Sequence, residues 1–265
     1  MIFVNDFSPE MIRLGSLAIR WYGLLFSSGI IVNYLLLRWI FKREKYPVID
    51  LDSVITYLFF GLIIGARLGE VLFYEPGFYF RDPLEILKIW NGGLSSHGAT
   101  IGLFISYVLW TKVHKVKFTK YSDVLVLGMP GTAAFVRTGN FFNSEIVGIP
   151  TGGNYGVVFN RLGEDFPRHP VQLYEAILSI AVLAVLFYIY KSYYRKTPTL
   201  FFFFLYIILY FGGRFIIEFW KDLHVLPGWF PLSMGQVLSI IPLLMAIGYF
   251  LFVFPSQRKS GFRRN

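Results

Sequence analysis

Residues 131–148 read Gly-Thr-Ala-Ala-Phe-Val-Arg-Thr-Gly-Asn-Phe-Phe-Asn-Ser-Glu-Ile-Val-Gly. Arg137, Asn140 and Asn143 recur three residues apart, and Glu145 follows closely. On a helix these three positions drift only slowly around one face, so a guanidinium and two amides point the same way. The stretch continues an apolar run that begins near Val124, which reads as the second half of a membrane-crossing helix. A charged side chain near the bilayer centre costs about 2.5 to 3.5 kcal/mol on insertion scales, so it needs a partner or a wet cavity. A structural arginine bonded to neighbouring carbonyls is one solution. A polar site opening toward one membrane surface is the other, and it is the reading adopted.

The same chemistry recurs elsewhere. Tyr210, Arg214 and Glu218 stand at i, i+4 and i+8, with Lys221 one turn further, which lines up a phenol, a guanidinium and a carboxylate. An Arg214–Glu218 pair within the helix would explain that spacing without a ligand. It would not explain a second arginine at similar depth. Arg67 and Glu70 repeat the theme three residues apart, and Arg168 to Glu175 packs polar residues where another span begins. His97, in Gly-Gly-Leu-Ser-Ser-His-Gly-Ala, lies at the outer entrance of a span beside the uncrowded Gly98. It is either an interfacial anchor or part of the site. Tyr22, next to Arg20 and Trp21, sits near the outer end of the first span. Together these residues predict a cationic, hydrogen-bonding chamber open to the outer half of the bilayer. Arginine suits phosphate because its planar fork binds two oxygens at once, and the nearest abundant phosphate is a phospholipid headgroup. No metal-ligand spacing of the usual kind is present, so neither a metal nor another cofactor is expected.

The elements that must carry these groups are legible in the composition. Hydrophobic residues make up 55% and aromatics 20% of the 265 residues, and the mean hydropathy is +0.55. This is too apolar for an ordinary soluble domain. The absence of cysteine excludes disulfides, zinc thiolates and an enzyme thiol nucleophile. A net charge of +9 could suggest nucleic acid, but the bases cluster beside apolar spans and read as topology determinants. The first fifteen residues contain acids and no basic n-region, so no cleaved signal peptide is expected.

At about 20 residues per crossing, seven spans are expected, near 16–41, 51–74, 94–112, 121–143, 171–192, 198–220 and 232–254. Of the Lys and Arg residues flanking them, fifteen fall on one side and six on the other, which places the N-terminus outside and the C-terminus in the cytoplasm. The fold class is therefore an all-α polytopic membrane protein with a single membrane domain over 1–265. Two outer segments, 75–93 and 144–170, are long for simple turns. They are expected to form a small periplasmic cap, with a short strand at Tyr155 to Phe159.

The residues resemble the prolipoprotein diacylglyceryl transferase family of bacterial inner membranes along nearly the whole chain. The likeness is carried by Arg20-Trp21-Tyr22-Gly23, Gly65 to Tyr74, Trp90 to Gly102, and Arg137-Thr138-Gly139-Asn140-Phe141-Phe142-Asn143-Ser144-Glu145. It continues through Arg168-His169-Pro170 to Tyr174-Glu175, Gly213 to Phe219, and Ser233-Met234-Gly235-Gln236. The resemblance implies transfer of the diacylglyceryl group of phosphatidylglycerol to the lipobox cysteine thiol of a preprolipoprotein, releasing glycerol phosphate. It implies lipid recognition at Arg137 and importance for His97 and Arg214, with Tyr22, Asn140, Glu145, Tyr210 and Glu218 in support. The residues themselves add Asn143 and Gly98 as substrate contacts. His97 is the candidate base for the thiol, with Glu145 as alternative or orienting partner, and Arg137 and Arg214 are the candidate phosphate clamps. Three departures from the family pattern stand out: Ala99 after His97-Gly98, the bulky Phe135 and Val136 before Arg137, and Lys221 where Arg is common. The rival class is a transporter or channel using buried Arg, Glu and His. Against it stand the absence of an inverted repeat and the crowding of polar groups toward one side.

Overall fold

Long apolar runs bounded by basic clusters, Gly and Pro become helices. The computed structural model describes residues 1–15, 17–89, 92–222 and 231–259. Trp90 and Asn91 of the first outer segment, and Arg263 and Arg264 of the last basic cluster, lie outside the described residues. The helices are α1 (Trp21–Arg43), α2 (Val48–Gly69), α3 (Pro76–Arg81), α4 (Ser96–Val113), α5 (Thr119–Leu125) and α6 (Met129–Asn143). They continue with α7 (Val171–Tyr193), α8 (Phe201–Ile217), α9 (Met234–Gly248) and α10 (Phe254–Lys259). The only strands among the described residues form two small two-stranded sheets.

Among the described residues, five helical stretches are long and apolar enough to cross a membrane: Trp21–Arg43, Val48–Tyr74, Val171–Lys196, Phe201–Trp220 and Met234–Gln257. The third and fourth expected spans are also helical but of different make. α4 has 18 residues and dilutes its apolar sequence with Gly, Ser, Thr and His. The fourth is divided by a 3-10 turn at Val126–Gly128, after which α6 restarts with Pro130 in its first turn, where a missing N–H costs no helix bond.

The chain forms two compact units, residues 38–121 and residues 1–37 with 122–265. The 38–121 unit is built on the α2–α4 pair. Gly61, Gly65 and Gly69 recur every fourth residue on α2 and meet Gly98, Gly102 and Ser106 of α4. A Cβ built on Gly69 would stand 2.7 Å from the Gly98 Cα, and one on Gly65 would stand 2.7 Å from the Gly102 Cα. Facing small residues let two backbones approach, which supplies contact energy where lipid leaves little hydrophobic driving force. Toward the other end of the pair, Trp110 Nε1 donates to Ser53 Oγ at 2.9 Å.

Beyond α2, whose path runs on as a π-helical stretch Glu70–Tyr74, Arg67 gathers the following segment. Its Nε donates to the Ile86 carbonyl at 2.9 Å. Its Nη1 donates to the Tyr79 hydroxyl at 2.9 Å and to the Gly92 and Gly93 carbonyls at 2.6 and 2.9 Å. Its Nη2 donates to the carbonyls of Glu85 and Lys88. Arg67 is thus an arginine satisfied by backbone, and 75–89 folds around it as α3 and a 3-10 turn.

In the other unit, β1 (Ile2–Asn5) pairs in parallel with β4 (Gly156–Phe159), within the expected Tyr155 to Phe159 strand. β2 (Glu10–Leu14) and β3 (Leu17–Arg20) form a hairpin that leads into α1. α6 packs on α7, α7 on α8 and α8 on α9. Phe141, Val157 and Phe159, with Val147 and Leu173, join the end of α6 to β4. Asp123, buried, accepts from the N–H groups of Leu200 and Phe203 at 2.7 and 2.8 Å. It thereby satisfies donors that the start of α8 would otherwise leave orphaned. Arg168 clips 144–170 together: it pairs with Glu164 at 2.5 Å and Asp222 at 2.6 Å, and donates to the Gly148 carbonyl at 2.9 Å.

Candidate active site

The site begins where α6 stops. Ser144 and Ile146 take left-handed backbone conformations, φ 56° and 55°, and this turn swings Glu145 back over the helix end. The Glu145 N–H donates to the Asn140 carbonyl at 3.0 Å. Its carboxylate accepts from Asn140 Nδ2 at 3.2 Å and from Asn143 Nδ2 at 3.1 Å. Arg137 Nη1 donates to Asn140 Oδ1 at 3.3 Å, so one amide is shared between a cation and an anion. Gly139 opens the space filled by Tyr22, because a Cβ there would stand 2.9 Å from the Tyr22 ring. The Tyr22 phenol lies within electrostatic reach of both Glu145 and Arg137. Tyr22, Arg137, Asn140, Asn143 and Glu145 therefore converge.

α7 backs this cluster with two residues absent from the expected site set, Gln172 and Glu175, and the stretch after α8 adds Lys221 beside the expected Glu218. Gln172 Nε2 donates to the Glu145 carbonyl at 2.7 Å. Glu175 Oε2 forms an ion pair with Arg137 Nε at 2.7 Å, and Glu175 Oε1 another with Lys221 Nζ at 2.8 Å. Lys221 also pairs with Glu218, at 2.9 Å. The signal that could have found Gln172 and Glu175 was present: two polar residues, three apart, in the first turn of an otherwise apolar helix. The Glu218 carboxylate presses on Gly235 of α9, where a Cβ would find no room.

An Arg214–Glu218 ion pair does not form, since Glu218 is taken by Lys221. Among the described residues Arg214 makes no ion pair and no hydrogen bond. Tyr206 and Tyr210 stack beside it on α8, ring centroids 5.3 Å apart, with Tyr206 in electrostatic reach of Arg214. A half-buried guanidinium without an anion is the natural seat for an anionic ligand.

His97 and Gly98 belong to the 38–121 unit. Ser95 caps α4 by accepting from the Gly98 N–H at 3.2 Å. His97 is exposed on this first turn, with its Nδ1 2.8 Å from the Tyr74 hydroxyl. Gly98 is buried in the contact with Gly65 and Gly69, which makes it a packing position. In the 144–170 segment of the other unit, hydrogen bonds to Glu164 hold Arg168 more firmly protonated, against the opposing effect of burial. Burial lowers the pKa of His169, whose Nδ1 lies 3.1 Å from the Tyr174 hydroxyl.

Fold and site together define a helical, multi-pass membrane protein with an arginine–carboxylate cluster among its helices. The chain belongs to the prolipoprotein diacylglyceryl transferase family, whose pattern it matches over residues 9–253. It is 41% identical over 262 residues to the phosphatidylglycerol–prolipoprotein diacylglyceryl transferase of Tolumonas auensis, covering 98% of this chain and 100% of that relative. The like-named proteins of Bacteroides fragilis and Chloroherpeton thalassium are 38% and 36% identical, each over 96% of this chain and 95% and 94% of their own lengths.

Proposed function

We propose that the protein transfers the diacylglyceryl group of phosphatidylglycerol to the lipobox cysteine thiol of preprolipoproteins, the first step of bacterial lipoprotein maturation. The observation that carries this reading is the pair of arginines. Arg137 is fixed at one edge by Glu175, and Arg214 has no anion of its own among the described residues. The substrate sulfur attacks the glycerol carbon bonded to the phosphate oxygen. The carbon–sulfur bond forms as that carbon–oxygen bond breaks, its electron pair passes to oxygen, and glycerol phosphate leaves. Arg137 and Arg214 meet the growing charge with charge-assisted hydrogen bonds, which gain strength away from water.

The thiol must lose its proton to attack. His97 is the candidate base. With its Nδ1 engaged by Tyr74, Nε2 is the nitrogen left to take the proton. Glu145, held by two amides, is the alternative. Tyr22, Asn140, Asn143, Tyr210 and Glu218 complete the lipid site. The Asn143 Oδ1 is buried with no partner among the described residues, an acceptor suited to a glycerol hydroxyl.

The same reading places the chain in the bacterial inner membrane with seven crossings, N-terminus outside and C-terminus in the cytoplasm. Its support is the fifteen-to-six division of basic residues and the length of the two less apolar spans. α4, with 18 residues, is about 27 Å long, close to the roughly 30 Å hydrocarbon core. Segments 75–93 and 144–170 form the outer cap, close to where the lipobox would present its cysteine. The test is an assay in detergent with labelled phosphatidylglycerol and a lipobox peptide. The expected product is a peptide carrying diacylglyceryl as a thioether, whereas a transporter or channel would leave the peptide unmodified.

A further inference from the structure

Four charges, three of them buried and Arg137 partly so, run in series through the unit that holds Arg137: Arg137, Glu175, Lys221 and Glu218. The side chains of Glu175 and Lys221 are each 2% exposed, against 13% for Arg137. With two cations and two carboxylates the set is neutral, as burial away from water demands. Glu175 is its hinge, because one oxygen serves Arg137 on α6 and the other serves Lys221 beyond α8.

A guanidinium has five N–H donors in a fixed plane, so fixing one edge fixes the direction of the others. In Arg137, Nε lies 2.7 Å from Glu175 Oε2 in an ion pair without a hydrogen bond, and Nη1 donates to Asn140 Oδ1 at 3.3 Å. Nη2 donates no hydrogen bond among the described residues. Resting on the reading of Arg137 as a phosphate clamp, we infer that Glu175 is a positioning residue for it. Glu175 holds the guanidinium by charge from the Nε side, so that Nη2 is the nitrogen left for phosphate oxygens. Lys221 holds Glu175 in turn and balances its charge. Neither touches the lipid, since both lie deeper than Arg137. The departure at Lys221 from the common Arg is explained by this place: a compact ammonium fits between two carboxylates, and no planar fork is required there.

Charge and geometry make separable predictions. Glu175→Gln keeps the shape of the side chain but leaves the set with one net positive charge and Arg137 unheld at Nε. Lys221→Met leaves one net negative charge. Binding of free glycerol phosphate to the full-length protein in detergent, measured by calorimetry, should therefore tighten about three- to tenfold in Glu175→Gln and weaken by a similar factor in Lys221→Met. In the transfer assay, Glu175→Gln should lose about tenfold or more in kcat without a rise in KM for phosphatidylglycerol. The double variant, Glu175→Gln with Lys221→Met, restores neutrality and protects against simple misfolding. Its affinity for glycerol phosphate should return toward the original value while kcat stays low, because the Nε edge is still unheld.

Absence of the opposed binding shifts in folded single variants would overturn the inference. So would recovery of kcat in the double variant, which would make charge alone the controlling quantity. If the unaltered protein made no thioether product, the transfer reading would fail, and the calorimetric arm would still decide the role of Glu175.

Discussion

Arg137 pairs on its Nε side with Glu175 and donates from Nη1 to Asn140, and a lysine ammonium is too compact to reach both partners as the guanidinium does. Arg137→Lys keeps the charge yet should be nearly inactive, since loss of one charge-assisted bond costs about 1.5 to 3 kcal/mol, or roughly ten- to hundred-fold in rate. Near-normal turnover by folded, membrane-inserted variant would remove the clamp role. His97 asks a different question, because its Tyr74 contact would suit a base or a mere support. If it takes the thiol proton, His97→Gln should lower the rate by roughly 10²- to 10⁴-fold and abolish the acidic limb of the pH–rate profile. A profile of unchanged shape and lower height would shift the assignment to Glu145.

At the scale of elements, the α2–α4 contact sets the position of the turn that bears His97. Gly65→Leu forces a side chain into the backbone of α4, and overpacking of this kind costs roughly 1 to 3 kcal/mol. Its melting temperature in detergent should fall, whereas Gly248→Ala, with nothing within 4 Å of the added carbon, should leave it unchanged. The segment 144–170 carries its own pH dependence. Burial favours neutral His169 in the folded state, while the unfolded chain takes up a proton near pH 6.5. The unfolded state therefore binds more protons just below that pH, so the stabilising contribution is complete above about 6.5 and declines as the pH falls toward the lower folded value. Limited proteolysis of 148–169 should accelerate in mild acid, and His169→Gln should remove that acceleration. Equal pH dependence in both proteins would locate the effect elsewhere.

Across the whole molecule, the distribution of basic residues fixes orientation only if seven spans alternate through the bilayer. Asn160 and Ser256 lie in opposite expected compartments, and both are exposed. Cysteines placed singly there, in a chain that has none of its own, should be labelled by an impermeant thiol reagent from opposite faces. Labelling of both from one face would overturn the seven-span topology.

Periodicity and composition alone determined the helices, the break in hydropathy around Arg137, and the shared face of Arg137, Asn140 and Asn143. These are local properties, set by 3.6-residue geometry and by the cost of polar groups in lipid. The partners of those groups were beyond local reach. Glu175 meets Arg137 only because α6 packs on α7. Lys221, three residues on, takes Glu218 and Arg214 does not, a choice between two local partners that spacing alone left open. Glu145 joins the asparagines through a left-handed turn at Ser144, a residue type that seldom adopts one. Gly98 read as an open place beside a histidine and proved to be one half of a helix contact. Pairing of charges depends on distances across elements, and only the tertiary structure decided those.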